Sequence, residues 1–217
     1  MTLITHLWTE KINIIVSDRR LTNLSLDNPI VSESTIKTYS KVNNFVSFHG
    51  DYNINKHLNI NQFLEKYYVK FEFENLHCVA NHLKNKLKEC KDREINTGFF
   101  IGGNFDKTKS LYYHTKSDDI IEDSSISNIG YRMNYENKTH YLELKKILCS
   151  SIDLITNKKL NSWNEYDNFT NKQLYKIMEQ FYKEVNTSQS ANIVNGIGSQ
   201  FDIGIIKNGK FEWISIT

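Results

Sequence analysis

Proline is almost missing from this chain: there is one in 217 residues, which excludes a proline-rich linker or tail. Cysteine is scarce as well. Cys78, Cys90 and Cys149 are odd in number, far apart and without a CxxC pair, so no disulfide framework is encoded and reduced thiols in a cytoplasmic protein are expected. Long apolar runs are missing. Near the start, Leu3, Leu7, Ile12, Ile14 and Val16 are broken up by Thr5, His6, Glu10 and Lys11, and no stretch approaches the roughly 18 apolar residues that span a bilayer. The first residues also lack the basic region and apolar stretch of a signal peptide, so none is expected. An excess of one charge is absent too. Lys and Arg number 27 against 25 Asp and Glu, a balance that argues against nucleic acid or an anionic membrane as a partner.

Several catalytic signatures are missing. The seven histidines form no HExxH, and His77 and His82, five residues apart, do not share a helix face, so no metal and no cofactor are expected. There is no Gly-x-Ser-x-Gly elbow, and Gly102-Gly103-Asn104 lacks the Lys-Ser/Thr of a phosphate loop. Cys78 and Cys90 fall on a helical stretch and read as packing residues. No internal repeat or low-complexity segment is visible.

What is present is the patterning of an ordinary globular chain, with 39% hydrophobic and 24% charged residues, long enough for one well-buried domain over 1–217. Residues 3–9 alternate, and 12–16 follow after a turn at Glu10-Lys11, which predicts a strand hairpin. Residues 21–33 are polar and read as a loop. Strands are expected at 35–39 and 44–49. The period then lengthens, predicting helices over about 55–69 and 75–90. Strands at 97–103, 110–114 and 125–129 follow, then helices over about 138–154 and 171–185 with a polar loop between them. Strands at 201–206 and 211–216 close the chain. Helices arriving in pairs between antiparallel hairpins imply an α+β fold. The expected form is a four-layer αββα sandwich, two stacked antiparallel sheets with a helix pair on each outer side. The Ile14-Ile15-Val16 and Gly204-Ile205-Ile206 runs suit inner strands that are apolar on both faces.

The residues that could carry chemistry lie at the start. Thr2 is small, and aminopeptidases generally remove a methionine that precedes a residue of that size. The exposed threonine would carry a hydroxyl and a free amine together, so one residue could serve as nucleophile and base. The α-amine has a reference pKa of about 8, so a useful fraction is neutral at physiological pH. Such a site further needs a cation to depress the amine, a carboxylate to hold the cation, and amide donors for an oxyanion. Asp18 ends the second strand, opposite Thr2 if the hairpin turns at Glu10-Lys11. Lys37 stands on the third expected strand, with Lys41 as the competing lysine four positions on. Gly50 closes the fourth.

Read together, Thr2, Asp18-Arg19-Arg20, Lys37 and His49-Gly50-Asp51 resemble the proteasome β-subunit pattern of the N-terminal nucleophile hydrolases. That pattern has a leading Thr, a strand hairpin, Asp-x-Arg, a strand lysine, and a small residue and glycine before the first helix. The spacing from Thr2 to Asp18 is that of the family. The element order resembles it over nearly the whole chain, and Gly196-Ile197-Gly198-Ser199 before Phe201-Asp202-Ile203-Gly204-Ile205 looks like its glycine-rich turn and last strand pair.

The resemblance implies a threonine-type peptidase. Thr2 would be the nucleophile and Lys37 would depress its amine. Asp18 would pair with Lys37, Arg20 would support Asp18, and the Gly50 N–H would form the oxyanion hole. Phe48, His49 and Leu21 would line the substrate site, with Phe48 making a shallow pocket for small side chains. It also implies a peptide or protein substrate, a homo-oligomer (a ring or stacked dimer) and an unfoldase or regulator as a further partner. The chain departs from the pattern at three places. His49 stands where a small residue is usual, Tyr131-Arg132 where a serine follows the strand end, and Ile193 to Gly198 where an Asp and a Ser are usual, with Ser199 nearby. Those departures keep one alternative open, a non-catalytic structural or assembly subunit, and the several amide chemistries such a fold supports keep another, an amidase or acylase acting on a small amide.

Overall fold

The structure, a computed structural model, describes residues 3–9, 11–22, 30–105, 108–122, 130–133, 138–159, 163–187 and 200–214. Thr2, the strand expected at 125–129 and the stretch Ile193 to Ser199 lie outside the described residues.

The chain opens with the expected hairpin, β1 (Ile4–Trp8) and β2 (Ile12–Asp18). Its turn is held by Thr9, whose hydroxyl accepts from the Ile12 N–H at 3.1 Å while its own N–H reaches the Ile12 carbonyl at 2.9 Å. Two short strands, β3 (Leu21–Thr22) and β4 (Ile30–Ser32), pair where a loop was expected. β5 (Thr38–Ser40) and β6 (Asn44–Gly50) follow. The helix expected over 55–69 begins late. β7 (Asn53–Asn55) and β8 (Leu58–Asn59) form a small hairpin first, and α1 covers only Ile60–Leu64, running on into a π-helical turn at Glu65–Val69. The reason is a capping box. The Asn59 side chain accepts from the Gln62 N–H at 3.0 Å and the Gln62 side chain accepts from the Asn59 N–H at 3.1 Å, which starts the helix there.

α2 (Leu76–Cys90) starts at Asn75, whose side chain accepts from the Cys78 N–H, and it buries Leu76, Val79, Ala80, Leu83 and Leu87 along one stripe. Then come β9 (Thr97–Phe105), β10 (Thr108–His114), β11 (Asp119–Glu122) and β12 (Gly130–Met133). α3 (Lys138–Thr156) is followed by a 3-10 turn at Trp163–Asn168 and by α4 (Asn171–Thr187). α4 carries its own capping box, Thr170 with Gln173. β13 (Phe201–Lys207) and β14 (Lys210–Ile214) end the described chain.

Two five-stranded antiparallel sheets result, in the orders β12-β1-β2-β13-β14 and β11-β10-β9-β6-β5. The first packs Leu3, Leu7, Ile14, Val16 and Ile205 against Leu148, Leu174, Ile177 and Phe181 of α3 and α4. The second packs Val46, Phe48, Phe99 and Ile101 against Phe63, Val79 and Leu83 of α1 and α2. A third cluster, Ile4, Ile15, Phe45, Phe100 and Ile206, lies between the sheets. Because strand side chains alternate, Ile14 and Val16 face the helices while Ile15 faces the other sheet, as the unbroken apolar run requires. The expected four-layer αββα arrangement is therefore the one observed. No helix of the described residues is long and apolar enough to cross a membrane.

The space between the sheets also holds polar groups, and these are paired. His6 Nε2 lies 2.5 Å from Asn13 Oδ1, and Asn13 Nδ2 donates across to the carbonyls of Gly103 and Lys109 at 3.0 and 2.7 Å. Such bonds fix the register of one sheet on the other, because a slip would leave buried polar groups unsatisfied.

Candidate active site

Asp18 occupies the last position of β2, and its neighbour in register on β13 is Phe201. The carboxylate is fully buried and gathers three donors among the described residues. Oδ1 accepts from Lys37 Nζ at 3.0 Å and from the Leu3 N–H at 2.9 Å, and Oδ2 accepts from the Arg20 N–H at 3.2 Å. Lys37 and Asp18 are 1% and 0% exposed, so the pair sits away from bulk water. Burial pulls the Lys37 ammonium below its ordinary pKa, with the Asp18 charge opposing. Lys37 also donates to the Arg20 carbonyl. Lys41, the competing lysine, is elsewhere. It pairs with Glu72 and lies over the rings of Tyr68 and Phe73. Among the two lysines, only Lys37 joins Asp18.

The Leu3 amide matters because it is the peptide nitrogen that links Leu3 to Thr2. It donates to Asp18, while the Leu3 carbonyl accepts from the Asp18 N–H at 3.2 Å and from the Tyr182 hydroxyl at 3.1 Å. The first residue of the described chain is thus bonded at both ends to the residues around the ion pair.

A chain of hydroxyls holds Lys37 from behind. Ser17 Oγ is 2.9 Å from Thr38 Oγ1, Thr38 donates to Ser47 Oγ at 2.9 Å, and Ser47 donates to the Lys37 carbonyl at 3.0 Å. The Phe48 N–H donates to the same carbonyl at 3.0 Å. Ser17, Thr38 and Ser47 were not singled out from the sequence. Nothing in a lone Ser or Thr marks it before the strands that bring three of them together are known.

Gly50 ends β6 beside Thr97. Thr97 directs its N–H to Thr115 Oγ1 and its carbonyl to the Thr115 N–H, so neither group turns toward Gly50. Two residues earlier, the Phe48 N–H faces Lys37. By the two-residue repeat of a strand, the Gly50 N–H faces the Lys37 side of β6. Gly50 has φ +96°, and a Cβ there would sit 2.0 Å from the Asn96 carbonyl oxygen, so only glycine fits.

The remaining expected residues lie as follows. Arg20 touches Asp18 through its backbone only, and its guanidinium pairs with Glu33 at 2.9 Å. Arg19 pairs with Asp202. Leu21 is partly buried in β3, next to Arg20. Phe48 is 2% exposed and packed in the helix-side core near Tyr52, so its ring is a core element and not an open pocket wall. Strand parity is the reason: Phe48 shares its face with Val46, and the opposite face carries Phe45 and Ser47.

His49 is partly buried, with Nε2 2.9 Å from the Tyr112 hydroxyl and its ring stacked on Tyr112 and near His114. Gly98 makes room for this contact, since a Cβ there would lie 2.2 Å from His49 Nε2. Burial, then the neighbouring His114 and Lys37, push the His49 pKa down to about 3, so the ring is neutral at physiological pH. Among the described residues no group of three or more His, Cys, Asp or Glu could hold a metal ion.

No family model matches the sequence, and no curated protein matches it. Solved structures do match. A Gly-1 mutant of Anbu from Hyphomicrobium sp. strain MC1 superposes with a TM-score of 0.62 at 16% identity, covering 99% of this chain and 85% of that one. At that identity the likeness concerns architecture alone, and it shows that the chain has a proteasome-like fold.

Proposed function

We propose that the protein is an amide hydrolase of the threonine-peptidase type, with Thr2 as nucleophile once Met1 has been removed. The observation that supports the reading is the meeting of two donors at one carboxylate: Asp18 binds Lys37 Nζ and the amide that joins Leu3 to Thr2. In this scheme the Thr2 hydroxyl attacks the carbonyl carbon of the substrate amide and its proton passes to the Thr2 amine. A neutral fraction of that amine is favoured by the positive charge of Lys37 nearby. The oxyanion meets the Gly50 N–H. The C–N bond breaks as the leaving amine takes the proton, leaving an ester on Thr2. Water then hydrolyses the ester and frees the acid product.

A homo-oligomer, acting on peptide or protein substrates in the cytoplasm with an unfoldase or regulator, accompanies this reading as part of the proposal. One observation favours a second reading, an inert scaffold of the same fold. His49 stands where the resemblance calls for a small residue, and its imidazole is committed to Tyr112 beside Lys37. Intact mass of the purified protein separates the two. Loss of one methionine residue and turnover of a peptide panel, both activity and adduct absent in Thr2→Ala, support the hydrolase. Retained Met1 supports the scaffold. Turnover of small amides but not peptides would make it an amidase.

A further inference from the structure

Tyr182 is a buried side chain of α4, stacked on Phe201 with ring centroids 4.9 Å apart and edge-on to Phe181. Helix residues this deep in a core are normally apolar, and a tyrosine hydroxyl placed there needs a partner. Here the partner is the Leu3 carbonyl, 3.1 Å away and 179 positions earlier in the sequence. The same carbonyl takes the Asp18 N–H, and the Leu3 N–H goes to the Asp18 carboxylate that also binds Lys37. Leu3 is therefore fixed by a ladder contact on one side and by a helix hydroxyl on the other. Residue 2 is one peptide unit away, and a displacement of Leu3 carries that unit with it. Burial, then the nearby Asp18 charge, hold the Tyr182 hydroxyl well above its ordinary pKa, with the adjacent Thr5 side chain opposing, which keeps it a donor.

We propose that Tyr182 is a positioning residue for the Thr2 nucleophile, acting through the Leu3 carbonyl. The assignment rests on the threonine-hydrolase reading for its catalytic consequence, but its mechanical part can be measured without activity. Tyr182→Phe removes one oxygen and keeps the ring packing, so the fold is expected to be retained.

Two measurements are made on the full-length protein. The first is native-state hydrogen exchange at the Leu3 and Asp18 amides. In Tyr182→Phe both are expected to exchange at least about tenfold faster, with amides of the second sheet unchanged. The second is labelling by a peptide epoxyketone. The maximal rate at saturating probe is expected to fall about tenfold, with the half-saturating concentration unchanged, because the loss lies in orientation and not in binding. Incorporation of 3-fluorotyrosine at 182 keeps the donor and is expected to restore both values. Should the phenylalanine variant fold poorly, 4-fluorophenylalanine at 182, which fills the space of the hydroxyl without a donor, carries the same two measurements against the 3-fluorotyrosine protein. Unchanged exchange at Leu3 and Asp18 would overturn the proposal, as would faster exchange with unchanged labelling. If the wild type takes no label at all, the hydrolase reading fails, and the exchange result alone decides whether Tyr182 holds Leu3.

Discussion

Lys37 Nζ donates to Asp18 Oδ1 at 3.0 Å, and neither side chain reaches bulk water. A buried pair is weak evidence for net stability, but removing one member leaves the other charge uncompensated. Asp18→Ala is therefore expected to destabilise by about 3–5 kcal/mol, since it also strips the acceptor from the Leu3 and Arg20 amides. Lys37→Met should cost less, because those two amides still bind the carboxylate. The double variant should lose less than the sum of the singles, measured by urea unfolding as a double-mutant cycle.

Gly50→Ala is expected to cost at least about 2 kcal/mol, because the residue has φ +96° and the added methyl meets the Asn96 carbonyl. Gly209 offers the contrast. It has φ +73°, but nothing lies within 4 Å of a Cβ there, so Gly209→Ala should cost only the backbone strain, about 1 kcal/mol. Thermal or urea unfolding of both variants checks the order.

His49 makes stability depend on pH in one direction. Its folded pKa of about 3 lies below its unfolded value, so between the two the unfolded chain binds more protons. The contribution is complete above about pH 6.5 and is lost as pH falls toward 3. The loss is at most about 1.4 kcal/mol per pH unit, and partial exposure of the ring reduces it. His49→Asn is expected to flatten the acid limb of a stability-versus-pH curve between about pH 6 and 4.

Arg19 and Asp202 form the opposite case to Lys37 and Asp18. Their side chains are 39% and 16% exposed, and the guanidinium grips the carboxylate with two nitrogens. Solvent screens such a pair, so Arg19→Ala is expected to cost no more than about 1 kcal/mol, and less in 1 M salt.

Much of this was legible in the residue pattern. The alternation at 3–9 and 12–16, the apolar stripe from Leu76 to Leu87 and the α4 stripe from Leu174 to Val185 each report burial directly, and each element formed. The pairing of Asp18 with Lys37 came from the family resemblance, since strand positions by themselves left Lys41 as a competing lysine until the structure put Lys37 on the carboxylate. The β7–β8 hairpin was hidden, because Leu58, Phe63, Leu64 and Tyr67 mimic a helical period until the Asn59–Gln62 capping box is noticed. The side Phe48 faces was also hidden, since a one-residue shift of parity moves a ring from a pocket to a core. Tyr182 was visible only as an apolar helix position. Its hydroxyl acquires meaning from Leu3, a contact no local pattern encodes.

Thr2, freed of Met1 and joined to the Leu3 amide that Asp18 holds, is the proposed nucleophile. Peptide mapping of the native protein after reaction with a peptide epoxyketone, which captures a hydroxyl and an amine on one residue, tests it most directly. A single adduct is expected on an N-terminal Thr2 peptide, absent in Thr2→Ala. An unmodified N-terminal peptide that still begins with Met1 would contradict it.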